Sequence, residues 1–395
     1  MNSYNNKKQI FFNCKIVTEN DVLLNHAIIV SNDSIENIVS EEIISSFNAN
    51  FVNCNGDYIL PGLIDIHSDV IEKIIVPRKS VLFNNRIALN EIDRQSMLQG
   101  ITTIYHSISI AESTICNNKR TLKLDNMFDL CNLIDKHKMD LSINHKFHAR
   151  YELNSINAFD YTFNALCEGK IHELSFMDHT PGQGQYKDLN VFKKVIQQQY
   201  GLVSEERKKE IINICQSKPK LESDKLNNLI QKANELKVPM AYHDVDSVEQ
   251  VSWMLDNNIK ICEFPLNNDI AMYASKKHMF SIVGAPNILL GHSHYNNANA
   301  TTLLLNGNAN VICSDYFSPS LLLSIFKLNN EYGIPLPYAV NFATLNPAKA
   351  VNISDNYGSI AVGKKADFII VHYSNSIPKV TKVIVSGKLK LDMFI

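Results

Sequence analysis

The stretch PGLIDIHSD, residues 61–69, places an imidazole and a carboxylate two positions apart at the end of an apolar run. The run has the length and composition of a buried strand, and alternation along a strand would point His67 and Asp69 to the same side. Both side chains are of types that bind divalent metals. The stretch therefore predicts a strand that leads into a metal site.

Seven more strand-like apolar runs follow this one, and segments of helical period lie between them. Eight βα units in series predict an α/β fold, a (β/α)8 TIM-type barrel over residues 61–352. A doubly wound open sheet is the alternative, but no G-x-G-x-x-G follows the first strand. The runs are ITTIYHSIS (101–109), LSINHKFHARY (141–151), IHELSFMDH (171–179), VPMAYHD (238–244), IKICEFP (259–265), FSIVGAP (280–286) and ANVICSD (309–315). The helical segments include residues 85–100, 124–138, 157–169 and 247–258.

Both ends of the chain differ from this middle region, because short apolar runs alternate there with turn residues. We expect one small β-rich domain assembled from residues 1–60 plus 353–395. Residues 186–235 are rich in Lys, Gln and Glu and exceed an ordinary connection in length. They predict a helical insertion over the mouth of the barrel.

The bulk composition limits the classes of partner. With 38 basic and 40 acidic residues the net charge is −2, so no global field recruits nucleic acid or a membrane. No stretch reaches the roughly 18 apolar residues of a membrane span, and the start does not read as a signal peptide. The eight cysteines contain no C-x-x-C and predict reduced core residues. We expect a cytoplasmic protein, and a homo-oligomer stays open.

Ionisable side chains recur where the predicted strands end, and barrel active sites lie at that end. A lone histidine is more often structural, but His67, Asp69, His179, His243 and Asp315 all fall on one rim. Mixed imidazole and carboxylate ligands predict one or two divalent ions, with Zn²⁺, Mn²⁺ and Fe²⁺ all suitable. Such an ion activates water without a Ser or Cys nucleophile. Asp315 is the predicted general base.

The first run resembles the first strand of the amidohydrolase superfamily, which carries P-G-x-I-D-x-H. TLNPAKAVNI (344–353) and GSIAVGKKADFIIV (358–371) resemble that superfamily's return from barrel to β-domain. Two features depart from it, because the first strand carries His-x-Asp and no Lys ends the fourth strand. With MDHTPGQGQY (177–186) and GAPN (284–287), the chain is similar to the PhnM-type phosphonate-metabolism hydrolases.

This resemblance implies a phosphoanhydride hydrolase of the carbon–phosphorus lyase pathway. The implied reaction converts α-D-ribose 1-methylphosphonate 5-triphosphate to the 5-phosphate and diphosphate, by attack of water on the α-phosphorus. It implies His67 and Asp69 as first-strand ligands, and His179 and His243 as ligands from strands four and five. Glu152 would then replace the missing Lys as a bridge between two metals.

A small anionic phosphorylated substrate needs hydrogen-bond donors around the metal. The candidates lie in rim segments, and His294 is also a catalytic candidate. They are Arg78, Lys79, Arg150, Gln183, Gln185 and His294. The glycines of residues 181–184 would let backbone N–H groups approach an oxyanion. Departures from the family at residues 79–85 and at His292 leave the exact substrate open. A cyclic amidase or deaminase, and a catalytically inactive scaffold, are the alternatives.

Overall fold

The computed structural model describes residues 8–78, 81–112, 123–292 and 298–394. Eight of the described strands form one sheet, in which each strand pairs in parallel with the next along the chain. Both faces of such a sheet are covered, which explains why the strands read as apolar runs. The barrel strands are β8 (Leu63–Ser68), β9 (Ile101–Ile110), β10 (Asn144–Glu152), β11 (Glu173–Met177), β12 (Met240–His243), β13 (Ile261–Glu263), β14 (Phe280–Gly284) and β15 (Val311–Cys313).

Contacts between the first and last strands close the barrel. The backbone N–H of Asp315 donates to the carbonyl of His67, and the N–H of Asp69 donates to the carbonyl of Asp315, both at 3.0 Å. The buried carboxylate of Asp65 accepts the backbone N–H of Ser314 at 3.0 Å. The predicted barrel is confirmed, and its closure uses the backbones of three residues of the predicted metal site, His67, Asp69 and Asp315.

The described helices lie mainly between the barrel strands. The four helical segments predicted from sequence correspond to α2, α3, α4 and α8. Polar N-caps define the starts of two of them, Asn84 for α2 and Ser247 for α8. The helices are α1 (Val70–Ile75), α2 (Asn85–Leu98), α3 (Leu124–His137), α4 (Phe159–Cys167), α5 (Leu189–Tyr200), α6 (Glu205–Gln216), α7 (Ser223–Glu235), α8 (Val248–Asp256), α9 (Asn268–Lys276), α10 (Ala285–Leu290), α11 (Ala300–Leu305), α12 (Ser320–Tyr332), α13 (Leu336–Asn341) and α14 (Leu345–Ala350).

Residues 186–235 hold helices α5, α6 and α7. The connection between α6 and α7 contacts the rim of the barrel. The Lys220 ammonium lies 2.6 Å from an Asp178 oxygen, and the Gln216 side chain donates to the carbonyl of Pro181 at 3.0 Å. These contacts join the insertion to the loop after β11.

A β-rich domain is built from both ends of the chain, as predicted. One sheet has the order β5-β4-β1-β6, and the other has the order β18-β17-β16-β7-β2-β3. The second sheet joins the two ends, because β7 and β16 pair antiparallel. We propose that the domain limits lie at residues 60/61 and 352/353. The strands are β1 (Lys8–Phe12), β2 (Lys15–Val17), β3 (Val22–Leu23), β4 (His26–Ser31), β5 (Ser34–Ser40), β6 (Ala49–Asn53), β7 (Tyr58–Pro61), β16 (Phe368–Ser374), β17 (Ile377–Val385) and β18 (Lys388–Asp392).

Two further observations bear on the sequence predictions. None of the helices in the described ranges is long and apolar enough to cross a membrane. The prediction that all cysteines are reduced is wrong at Cys215, which is disulfide-bonded. Spacing along the chain could not reveal this bond, because tertiary structure decides which cysteines meet.

Candidate metal centre

His67 turns into the barrel at an irregularity in its strand. The pairing of β8 with β9 shifts register between Asp65 and Ser68, and such bulges re-aim side chains. The His67 ring lies 5.4 Å, centre to centre, from the rings of both His148 and His243. The strand therefore delivers an imidazole to the interior of the barrel.

Asp69 lies beyond the end of this strand, at the N-cap position of α1. Its Oδ1 atom is 3.8 Å from the Lys73 ammonium. The strand alternation that would join it to His67 ends before this residue. Asp69 does not belong to any of the groups of closely spaced metal-ligand atoms among the described residues.

His179, His243 and Asp244 form a compact group of buried ligand atoms. His179 Nε2 lies 3.5 Å from Asp244 Oδ2, and His243 Nδ1 lies 3.1 Å from the same oxygen. All three atoms are buried without a hydrogen-bond partner. Two ligands that each lie about 2.1 Å from a tetrahedral ion are about 3.4 Å apart. The spacing, the donor types and the missing hydrogen bonds therefore fit a divalent metal.

Two of the histidine rings contact a carboxylate through Nδ1, the ring nitrogen other than Nε2. His179 Nδ1 contacts Glu152 Oε2 at 2.7 Å, and His67 Nδ1 contacts Glu263 Oε1 at 2.6 Å. An ionised carboxylate only accepts hydrogen bonds, so Nδ1 carries a proton, and in the neutral ring the lone pair is on Nε2. Metal-binding histidines are commonly oriented in this way. This geometry supports metal binding through Nε2 of both rings.

A second group joins His67, His243 and Glu263, whose ligand atoms all lie within 4.8 Å of one another. His243 belongs to both groups, so the two lie side by side at the mouth of the barrel. Together the two groups provide enough ligands for one ion or two.

Neighbouring charges strongly shift the pKa values of these groups. Burial opposes the charge of His179, but the Glu152 and Asp244 carboxylates raise its pKa to about 9. Burial likewise favours the neutral forms of Asp244 and Glu263. The adjacent His243 holds the pKa of Asp244 below its usual range, and His67 does the same for Glu263. A metal ion at His179 would compete with this proton and release it on binding.

Three residues beyond strand ends adopt left-handed backbone conformations that non-glycine residues rarely adopt. They are Asp244, Phe264 and Asp315, with φ of 56°, 53° and 53°. Strain of this kind concentrates at functional sites. The Phe264 ring packs 5.0 Å from the His67 ring and 5.1 Å from the His243 ring. Its conformation thus places an aromatic wall against two candidate ligands.

Asp315 is fixed at the rim through its backbone, which hydrogen bonds to both His67 and Asp69. Its carboxylate faces the end of β14, because a Cβ added to Gly284 would lie 3.7 Å from its Oδ2 atom. The groups of closely spaced ligand atoms in the described part of the chain do not include it. The backbone of Asp315 therefore adjoins the centre, because it is hydrogen-bonded to that of His67.

Arg150 extends from β10 into the centre, and its Nη2 atom lies 3.2 Å from His243 Nε2. Within the described residues, no carboxylate comes within 4.0 Å of its guanidinium. Burial lowers the pKa of His243, and the Arg150 charge adds to this effect against the opposing charge of Asp244. A part-buried guanidinium without a carboxylate partner is a ready binding group for an anion.

The other predicted substrate donors are less directly placed. Arg78 is exposed in the loop after α1. Gln183 accepts from the Lys220 ammonium at 3.2 Å, and Gln185 is half-buried in the same loop. Lys79 and His294 lie outside the described residues.

The glycine N–H groups of residues 181–184 already donate hydrogen bonds within the protein. Gly182 donates to the carbonyl of Tyr186 at 2.9 Å, and Gly184 donates to Asp246 Oδ2 at 3.2 Å. In this conformation the loop does not offer either glycine N–H to an oxyanion.

Sequence reasoning gave no role to four residues that the fold brings to the centre: Asp244, Glu263, His148 and Glu173. Glu173 and Glu263 stand in strand-like runs rich in apolar residues, IHELSF and IKICEF, and charged residues are rarely fully buried without a partner. That contrast was the available signal. Asp244 follows a predicted ligand directly, and His148 shares its face of β10 with Arg150.

Comparisons with known proteins agree with this architecture. Residues 206–390 match the amidohydrolase family, and residues 10–47 match the NagA composite domain. The alpha-D-ribose 1-methylphosphonate 5-triphosphate diphosphatase of Escherichia coli (strain K12) is 28% identical over 373 residues, covering 92% of this chain and 95% of that protein. An imidazolonepropionase of Shewanella sp. (strain W3-18-1) is 34% identical over 92 residues, 21% of each chain.

Solved structures show the same fold at low sequence identity. The N-acetylglucosamine-6-phosphate deacetylase from Pasteurella multocida has a TM-score of 0.65 at 13% identity, over 98% of this chain and 100% of that one. The dihydropyrimidinase from Brevibacillus agri NCHU1002 has a TM-score of 0.66 at 13% identity, over 98% and 95% of the two chains. With its barrel, its two-ended β-domain and its rim of imidazoles and carboxylates, this chain is similar to proteins of the amidohydrolase family, whose model matches residues 206–390.

Proposed function

We propose that this hydrolase converts α-D-ribose 1-methylphosphonate 5-triphosphate to the 5-phosphate and diphosphate in phosphonate catabolism. Similarity to the Escherichia coli diphosphatase over nearly the full length of both chains supports this substrate. The observation that carries the proposal is the Arg150 guanidinium, which has a histidine but no carboxylate near it in the described residues. A polyanionic substrate supplies the missing negative charge.

The proposed centre holds its ions with His67, His179, His243 and Asp244. A bound Zn²⁺, Mn²⁺ or Fe²⁺ ion would polarise a phosphoryl oxygen and activate water. Both Glu152 oxygens contact His179, which supports an orienting role rather than a bridge between ions. Asp69, at the start of α1, is placed to accept hydrogen bonds at the mouth.

The chain's own groups then divide the remaining work. Arg150 binds phosphoryl oxygens and aligns the α-phosphorus with the attacking water. Asp315 takes the proton that this water loses. Arg78, Lys79, Gln183, Gln185 and His294 complete the substrate mouth in this proposal, with His294 also available for proton transfer.

The test is to incubate metal-loaded protein with ribosyl and nucleoside triphosphates and to identify the leaving group by ³¹P NMR. Release of diphosphate, with the ribosyl phosphonate preferred over ATP, supports the proposal. Release of orthophosphate alone, or no release with any triphosphate, would reject it.

A cyclic amidase or deaminase is the second candidate. The local similarity to imidazolonepropionase and the fold shared with dihydropyrimidinase favour it. An uncharged cyclic substrate leaves Arg150 without an anion, which is why we place this function second. The test is to incubate the protein with hydantoin or dihydrouracil and to measure ring opening by absorbance. A catalytically inactive scaffold would show neither activity and would not bind metal.

We further propose a cytoplasmic location and no nucleic-acid or membrane partner, and a homo-oligomer stays open. The nearly balanced charge supports the absence of such partners, because it provides no broad attractive field. Fractionation of cells and light scattering of the purified protein test the location and the assembly.

A further inference from the structure

A second cluster of metal-ligand side chains lies deeper in the barrel. It comprises His148 on β10, Glu173 at the start of β11 and Glu263 at the end of β13. All three side chains are fully buried, and their ligand atoms lie within 4.8 Å of one another. Glu263 also contacts His67, so the cluster adjoins the centre described above.

The hydrogen bonds of His148 fix where its lone pair points. Nδ1 lies 3.1 Å from the carbonyl oxygen of Ile66 and 3.0 Å from the Ser107 hydroxyl. A carbonyl only accepts, so Nδ1 carries the proton and Nε2 is unprotonated. Nε2 has no hydrogen-bond partner and lies 3.9 Å from Glu263 Oε1. The unprotonated nitrogen thus lies near Glu263 Oε1, which also accepts from His67 Nδ1, while the protonated Nδ1 lies 3.6 Å from Glu173 Oε2.

The carboxylates of Glu173 and Glu263 also have oxygens that lack hydrogen-bond partners. Both oxygens of Glu173, and Oε2 of Glu263, are buried without a hydrogen-bond partner. Neither residue forms an ion pair with Lys or Arg in the described part of the chain. Buried carboxylates in this condition are among the costliest groups in a protein interior. Two such charges and one neutral imidazole match the needs of one divalent cation.

We propose that His148, Glu173 and Glu263 bind a divalent cation inside the barrel, below the rim and apart from the ion at His179. The mixed nitrogen and oxygen ligands suit Zn²⁺, Mn²⁺ or Fe²⁺. Because all three ligands are fully buried, this ion exchanges with solvent more slowly than the rim ion, whose ligand His179 is only part-buried. The cation neutralises the barrel interior and holds Glu263 in place behind His67. The inference does not depend on the substrate proposed above.

Protonation of Glu173 is the competing arrangement, since burial raises the pKa of this carboxyl well above its usual value. Glu173→Gln distinguishes a bound cation from a protonated Glu173. Glutamine has the shape of a protonated glutamate but cannot carry the negative charge that a cation ligand needs. Ser175→Ala is the matched control, since Ser175 lies two residues along β11 and is equally buried.

The experiment strips each protein with a chelator, reloads it with Mn²⁺ or Zn²⁺, and measures ions per chain and the rate of their release to a chromogenic chelator. We expect wild type and Ser175→Ala to show a fast and a slow phase, and Glu173→Gln to lose the slow ion. His179→Ala should lose the fast ion alone. Folding of each variant is checked by circular dichroism.

Equal metal content in folded Glu173→Gln and wild type would overturn the proposal and support a protonated Glu173. If Glu173→Gln does not fold, His179→Ala decides: a slowly released ion must remain in it, and its absence overturns the proposal. Loss of triphosphate hydrolysis with both ions retained would reject the proposed function and leave this inference intact.

Discussion

Glu152 holds His179 at two points, because its Oε1 atom accepts the backbone N–H at 2.9 Å and its Oε2 atom contacts ring Nδ1 at 2.7 Å. The contact joins the end of β10 to the loop after β11. It fixes both the position of the loop and the tautomer of the ring, since the carboxylate accepts the hydrogen bond that Nδ1–H donates. His179 Nε2 is thereby directed at Asp244, 3.5 Å away.

The first prediction follows from this contact. Glu152→Gln replaces one oxygen by an NH₂ group, which must face either the backbone N–H or the protonated Nδ1 of His179. In the first case the hydrogen bond that positions the loop is lost, and in the second the tautomer reverses and Nε2 carries the proton; both weaken His179 as a ligand. We expect metal affinity to fall about 10–100-fold with the fold retained. Metal titration by calorimetry measures the change.

Glu168→Gln, at an exposed position after α4, is the control for loss of a carboxylate. Metal affinity should be unchanged in it. If Glu152→Gln also binds metal as wild type does, the orienting role of Glu152 is wrong.

The second prediction concerns Arg150. Arg150→Met removes the guanidinium beside His243, and Arg150→Lys keeps a charge but loses the planar fork. Hydrogen bonds to charged groups contribute about 1.5–3 kcal/mol, so KM for a triphosphate should rise roughly 10–100-fold in Arg150→Met. Arg150→Lys should recover part of the loss. Steady-state kinetics at constant ionic strength gives KM and kcat separately.

Arg94→Met, at an exposed position on α2, controls for a general loss of positive charge. An unchanged KM in Arg150→Met would show that the anion binds elsewhere. It would also remove the main support for a phosphorylated substrate.

The barrel was predictable from sequence for a physical reason. Parallel strands buried on both faces require apolar runs, and the helices between them show a different period with capping residues. Residues at the ends of successive strands must then share one rim. This is why His67, His179 and His243 were predicted near one another, and the structure places their rings within two overlapping groups.

Finer details of the centre depend on local geometry that spacing does not encode. The bulge near the end of β8 turns His67 inward, while Asp69 falls beyond the strand. The stagger between barrel strands brings Glu263 to His67, although the two lie 196 positions apart in sequence. Spacing along the sequence likewise could not show that both carboxylate oxygens of Glu152 contact His179.

The third prediction concerns stability in acid. His172 Nδ1 accepts the backbone N–H of Phe147 at 3.2 Å, which requires an unprotonated nitrogen. Burial, reinforced by the charge of Lys146, lowers the pKa of His172 to about 4. The unfolded chain protonates near pH 6.5, so the folded state binds fewer protons below that pH. The stabilisation by His172 is therefore complete above pH 6.5 and is lost as the pH falls towards 4.

We expect the difference in free energy of unfolding between wild type and His172→Gln to fall by about 2 kcal/mol from pH 7 to pH 5. Urea denaturation at the two pH values measures it. His278→Asn, at an exposed histidine with φ of 58°, is the control and should show no such change. A difference that is constant with pH would contradict the lowered pKa.

The fourth prediction concerns the proton acceptor, Asp315. Asp315→Asn removes the negative charge but suits the site structurally, because asparagine tolerates a left-handed conformation such as the φ of 53° found here. The hydrogen bonds that close the barrel use the Asp315 backbone and should survive the substitution. We therefore expect folding and metal content to be kept.

Loss of a general base typically costs about 10²–10⁴-fold in rate, and we expect kcat of Asp315→Asn to fall by this factor. KM should change much less, because Arg150 provides the anion contact. Measuring kcat and metal content on the same preparation separates the roles of the carboxylate. Low kcat with full metal content identifies the base, and loss of both identifies a metal ligand. A kcat near that of wild type would exclude Asp315 from proton transfer and direct the search to His294.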